Sequence, residues 1–130
     1  MIEFSLDGRS GVSPYLQVVH QVRHGLRLGL LREGDQLPTV REVVAELAIN
    51  PNTVAKAYRE LERDGLVAAR PGVGTFVMRT LTDGSLASHG PLRKDLERWL
   101  TKARLAGLDD ESIEALFTST FRSTSRQEVA

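Results

Sequence analysis

Apolar residues first recur at helical spacing in Tyr15, Val18, Val19, Val22, Leu26 and Leu30. Intervals of three and four gather them on one side of a helix. Ser13-Pro14 stands before the run, a serine suited to an N-cap and a proline where its missing N–H costs nothing. The pattern predicts a first helix over 14–30, broken at Gly34-Asp35. Gln36-Leu37-Pro38 then reads as an extended lead-in, because a residue before proline is pushed out of the helical region.

Thr39-Val40-Arg41-Glu42 fits a capping box and opens a second helix, running to about Leu47 with Val43, Val44 and Leu47 facing inward. Three residues later Asn50-Pro51 repeats the cap-then-proline device, and Val54, Ala57, Tyr58 and Leu61 continue the apolar stripe. The third helix is expected over 51–64, stopped by Gly65. Two short helices joined this tightly cross steeply, which is helix-turn-helix geometry. Leu66–Ala69 and Thr75–Met78 are strand-like runs around Pro71-Gly72-Val73-Gly74, whose glycines permit a tight hairpin, a wing.

Residues 81–90, with two glycines and two serines, read as a linker. Pro91 opens a fourth helix carrying Leu92, Leu96, Trp99, Leu100 and Ala103 on one side, with Gly107 as its stop. Asp109 caps a fifth, in which Leu108 and Ile113 form a hydrophobic staple and Leu116, Phe117 and Phe121 extend the stripe. The polar residues from Arg122 onward are expected to fray. The fold class is therefore mainly α with a small β-hairpin. A winged helix-turn-helix over 1–80 is followed by the linker, a two-helix region over 91–122 and a disordered tail over 123–130.

Composition narrows what this architecture does. At 130 residues and 41% apolar, the chain fits one small core with a helical appendage. No cysteine is present, which removes disulfides, thiolate zinc sites and cysteine nucleophiles. No apolar stretch approaches the ~18–20 residues that cross a bilayer, and the start lacks a basic segment followed by an apolar one. A cytoplasmic protein with no membrane partner is expected. The 17 basic and 17 acidic residues cancel, but Leu47–Arg59 and Gly65–Thr82 contain no acid and carry Lys56, Arg59, Arg70 and Arg79. An anion can thus meet one face of a neutral molecule.

Catalysis finds little support. His20 and His24 are spaced to share a helix face, but no third ligand has a matching spacing, and solvated or interfacial histidines are the alternative. Gly72-Val73-Gly74 lacks the third glycine of a dinucleotide fingerprint and the lysine of a phosphate loop. No hydrolase motif occurs. We therefore expect no enzyme, metal or cofactor. DNA fits better. The turn Asn50-Pro51-Asn52-Thr53 offers small polar side chains and free backbone N–H groups for phosphates and base edges, and the same helix exposes Lys56 and Arg59. Arg41, in the first turn of helix 2, supplies a guanidinium that matches guanine O6 and N7.

Four motifs in order, Ser13-Pro14-Tyr15-Leu16-Gln17, Gly34 to Glu42, Asn50 to Glu62, and Gly65-Leu66 to Gly74-Thr75-Phe76-Val77, make residues 10–79 resemble the GntR-type winged helix. The tail with Gly107-Leu108-Asp109 resembles the YtrA subfamily. The resemblance implies a homodimeric transcription factor, usually a repressor, binding a near-palindromic double-stranded operator beside genes that often encode transporters. Helix 3 would enter the major groove and the wing approach the minor groove. Base-reading positions would fall on Arg41, Asn50 and Asn52. Thr39, Thr53, Lys56, Tyr58, Arg59 and Arg70 would meet the phosphate backbone, and Gly72 would bring the wing tip to the minor groove. Some relatives carry arginine where this chain has Pro51, so reading leans on Asn52 and Arg41.

The tail is too short for the effector-binding or aminotransferase-like domain of larger relatives, and an effector ligand is left open. Leu96, Trp99, Leu100, Ile113, Leu116, Phe117 and Phe121 are more apolar surface than two helices bury between themselves, so a second subunit is expected to cover them. The alternatives are a fold-back onto the chain's own winged helix and, for the function, a winged helix that binds protein and never DNA.

Overall fold

The first helix, α1, spans Pro14–Arg27 and stops a full turn short of the range its apolar spacing predicts. Gly29 explains the difference. It adopts φ 75°, which lets the Leu30 N–H turn back to the Gly25 carbonyl at 2.9 Å, the long-range bond of a Schellman cap. Leu30 is thereby carried out of the stripe and exposed, while Leu31 turns inward and is buried. Ser13 takes the extended N-cap conformation but makes no side-chain cap bond, so Pro14 at the first position is what shapes the start.

The structure, a computed structural model, describes residues 2–81 and 90–129, with side chains to 126. It divides into two compact units, Met1–Ser88 and His89–Ala130. In the first unit α2 (Val40–Leu47) carries the expected capping box. Thr39 Oγ1 accepts from the Glu42 N–H at 3.1 Å, and Glu42 Oε1 accepts from the Thr39 N–H at 3.3 Å. Ala48 turns the chain in the left-handed region at φ 55°, and α3 (Pro51–Arg63) follows. The core forms where α1, α2 and α3 meet, from Val18, Val22, Leu26, Val43, Val54, Ala57 and Leu61. Phe4, ahead of α1, completes it.

Residues 2–12 form no helix or strand, yet two glutamines one turn apart on α1 hold them. Gln21 takes both the N–H and the carbonyl of Ser5, at 3.0 and 2.6 Å. Gln17 does the same for Asp7, at 2.8 and 3.0 Å, and its amide also reaches the Val12 carbonyl. Apolar periodicity cannot forecast this clasp, because the residues that make it are polar.

The wing is the antiparallel pair β1 (Val67–Arg70) and β2 (Gly74–Val77), in register Val67 to Val77 through Arg70 to Gly74. The lead-in segment does more than connect. The Gly34 and Leu37 N–H groups donate to Val77 and Thr75 carbonyls, and Val77 donates to Asp35, so β2 is paired along both edges. At the apex the Gln36 amide donates to the Val73 carbonyl at 3.2 Å and lies over Gly74, in the space a Cβ would occupy. A larger residue at 74 would collide with Gln36 and force a side chain to φ 147°.

Leu81 packs against this core and donates to the Leu26 carbonyl, so it belongs to the first unit. Residues 82–89 of the expected linker lie outside the described residues. In the second unit α4 spans Gly90–Leu105, and the Leu108 N–H closes its end on the Ala103 carbonyl. Asp109 caps α5 as its sequence predicts, accepting from the Ser112 N–H at 2.8 Å, and the Ser112 hydrogen bonds hold its carboxyl below the usual range. Helix α5 continues as Asp110–Val129, correcting the frayed tail expected from Arg122 onward. Arg, Gln and Glu are good helix formers, and Thr124 folds its hydroxyl onto the Thr120 carbonyl, so polarity alone does not end the helix.

Tyr58 links the units of secondary structure around α3. Only 6% exposed, it donates its hydroxyl to the Pro38 carbonyl at 2.6 Å, tying α3 to the start of α2. Burial, and then the Glu42 charge, push its ionisation well above the ordinary value of 10.0. Below that value the hydroxyl is protonated folded or unfolded. Above it the unfolded chain releases the proton and the folded one keeps it, so stability falls as pH rises, by up to ~1.4 kcal/mol per pH unit. Chemical unfolding between about pH 9 and 11 should show a steeper loss for the native protein than for Tyr58→Phe; parallel curves would refute the linkage.

Candidate nucleic-acid interface

Helix α3 is anchored by one face, and the opposite face is fixed as a consequence. Val54, Ala57, Tyr58 and Leu61 are buried. Asn52, Lys56 and Arg59, spaced four and three apart, stand on the other side and are exposed, with Thr53 half-buried at the edge. No acid interrupts Pro51 to Arg59. Arg41 and Thr39 are exposed at the start of α2, and Arg70 and Gly72 are exposed on the wing. The Arg70 guanidinium lies 4.7 Å from the Phe76 ring centre, which steadies it at the end of β1. Gly72, at φ 77°, forms the apex turn.

Local bonding decides which of these groups has something left to offer. The N-terminal turn of α3 has no spare backbone donor: Pro51 has no N–H, the Asn52 N–H goes to Asn50 Oδ1 at 2.8 Å, and the Thr53 N–H goes to the Asn50 carbonyl at 2.9 Å. The expectation of free N–H groups there is therefore corrected, since the cap-then-proline sequence that starts the helix also consumes them. Asn50 commits one lone pair of its amide oxygen to the cap. Both N–H donors of its NH2 stay available to a ligand, while its oxygen keeps one lone pair and an orientation fixed by the helix start. Asn52 has its whole side-chain amide available. Thr39 accepts a bond in the capping box, which leaves its hydroxyl proton to donate.

Tyr58 does not join this face. Its single donor is committed to Pro38 and the ring is in the core, so the expected phosphate contact has neither a donor nor access. Arg79, in the second acid-free segment, is exposed and donates to the Asp64 carbonyl at 3.1 Å. Two supporting residues escaped the sequence reading. Gln36 braces the wing apex, and Tyr15 places its ring 3.9 Å beneath the Lys56 ammonium. Tyr15 was legible only as a member of the α1 stripe, because a contact between helices leaves no trace in the spacing along one of them.

The second unit carries the apolar surface. Trp99 and Leu100 are half-buried and Ile113 is buried, but Leu96, Leu116, Phe117 and Phe121 are 45–62% exposed. Phe117 and Phe121 stack with ring centres 6.0 Å apart. These residues line a groove between α4 and α5.

Residues 14–77 match the model of the GntR family, described as bacterial regulatory proteins. The HTH-type transcriptional repressor YtrA of Bacillus subtilis is 34% identical over 112 residues, spanning 83% of this chain and 84% of that protein. The chain belongs to the GntR family. It is a DNA-binding transcriptional regulator. Among solved structures, YtrA from Sulfolobus acidocaldarius, a GntR-family transcription factor, superposes with a TM-score of 0.55 at 28% identity. The alignment covers 75% of this chain and 97% of that one. The DNA-binding domain of AraR, solved in complex with operator ORX1, superposes with a TM-score of 0.52 at 25% identity, over 58% of this chain and 95% of that one. The membership is consistent with the wing and capped helices of the first unit. In this GntR regulator no described helix is long and apolar enough to cross a membrane.

The two roles open to Asn50 separate by substitution. Asn50→Ala removes the α3 cap and should cost about 1 kcal/mol of unfolding free energy, whereas Asn50→Ser keeps a capping oxygen and should stay within ~0.5 kcal/mol. Urea unfolding measures both. Equal losses in the two variants would show that the cap bond is not what Asn50 contributes.

Proposed function

We propose that this regulator is a homodimeric repressor that binds a near-palindromic operator near its own gene, with α3 in the major groove and the wing at the minor groove. The observation that carries the reading is the division of α3 into a buried face and an acid-free exposed one. Arg41 and Asn52 read bases, since each has an unspent fork of hydrogen-bonding groups. Asn50, its oxygen oriented by the cap, adds the donors of its NH2. Thr39, Thr53, Lys56, Arg59 and Arg70 meet phosphates, and Gly72 lets the wing backbone approach the duplex. Repression is supported by the name of the Bacillus subtilis relative. The protein acts in the cytoplasm, where the chromosome lies, and needs no catalytic group, metal or cofactor for this work. The genes it controls, by the same family likeness, include neighbouring ones such as those for transporters.

Dimerisation is supported by the second unit. Exposed Phe117, Phe121, Leu116 and Leu96 form a continuous apolar face, of the kind that a second copy covers in symmetric assemblies. Two copies would present two recognition helices to two half-sites.

Duplex binding through six or more phosphates should weaken ~10³-fold or more between about 50 and 200 mM salt. Fluorescence anisotropy with a duplex from the upstream region measures it. A salt-indifferent interaction would point instead to a protein partner for the winged helix. Phe121→Asp, at a position 62% exposed and so tolerable within one chain, should shift sedimentation from dimer to monomer. A dimer that persists in this variant would place the interface elsewhere.

A further inference from the structure

We propose that Tyr15 is a positioning residue for DNA binding: its ring holds the Lys56 ammonium in the place where a backbone phosphate meets it. This rests on the reading of Lys56 as a phosphate contact. The Lys56 ammonium sits 3.9 Å from the centre of the Tyr15 ring, well inside the range in which the negative face of an aromatic attracts a cation. Lys56 forms no ion pair with a carboxylate among the described residues, so the ring is what orients its charge. An ammonium has three N–H donors, and one side resting on the ring leaves the others directed to solvent. The lysine stays exposed.

The ring is a firm support. Tyr15 is half-buried, packs against the core, and follows Pro14 at the start of α1. Gln17, two residues beyond, fastens the approaching segment at Val12 and Asp7, so the start of α1 is held on that side as well. A free lysine stem samples many rotamers and loses that freedom when its ammonium docks on a phosphate. Confining it beforehand lowers the loss on binding. Arg59, on the same exposed face, has no aromatic or acidic partner among the described residues and supplies an internal comparison.

The contact is to the backbone, so its test needs no operator. The 130-residue chain is titrated with a fluorescein-labelled random-sequence duplex of about 30 base pairs at fixed low salt. Tyr15→Leu should weaken binding ~2–5-fold, the fold-change that corresponds to an exposed cation–π contact. Tyr15→Phe, which keeps the ring face, should bind as the native protein. Trifluorophenylalanine at position 15 keeps the ring's shape and drains its face of charge; it should lose affinity as the leucine variant does, even if leucine disturbs folding. In a Lys56→Met background the Tyr15→Leu loss should vanish, whereas in an Arg59→Ala background it should remain.

Three results would overturn the inference while leaving the phosphate role of Lys56 standing: an undiminished Tyr15→Leu loss in the Lys56→Met background, an equal loss in Tyr15→Phe, or native affinity with the fluorinated ring. Native affinity in Lys56→Met alone would overturn the phosphate role of Lys56 itself, and the inference with it.

Discussion

Helix α3 has to bury Val54, Ala57, Tyr58 and Leu61, and the rest of the winged helix is arranged around that requirement. Four apolar side chains at intervals of three, one and three define a single face, so Asn52, Lys56 and Arg59 have no choice but solvent. Removing these apolar groups from water is worth ~25 cal/mol per Å² of area, far more than any surface contact contributes. The orientation of the binding face is thus set by the core. Asn52, Lys56 and Arg59 are left outside that core.

The polar groups at the helix starts follow the opposite logic. Thr39, Glu42 and Asn50 satisfy backbone donors within the fold, and those donors are then lost to any ligand. On the proposed reading DNA is met by side chains of α2, α3 and the wing, and what the helix starts offer is the remainder after capping: a hydroxyl proton on Thr39, the NH2 on Asn50, a complete amide on Asn52. Tyr58 is the limiting case, with nothing remaining. It holds the segment before α2 against α3.

Elements whose cause is local were legible in the sequence. The capping box, the cap-then-proline start of α3, the hairpin and the Asp109 cap lie where residue types a few positions apart dictate them. The end of α1 was misread because two turn signals compete, Gly29 and Gly34-Asp35, and apolar spacing alone favours the later one. Contacts between elements were not legible: the clasp of Gln17 and Gln21 on residues 5–12, Gln36 across the wing apex, and Lys56 over Tyr15 each join positions whose meeting depends on how helices and strands pack. Helix α5 exceeded its expected length for a related reason, since a missing apolar stripe says that no partner is buried there and says little about helicity.

Backbone amide shifts in isotope-labelled protein, recorded while operator duplex is added, test the central claim most directly, because they report on every face at once. The account predicts the largest changes at Thr39 to Arg41, Asn52 to Arg59 and Arg70 to Gly74, with the clasped segment at Ser5 to Val12 nearly silent. Changes concentrated on that segment or along α4 and α5, with the outward face of α3 unmoved, would contradict it.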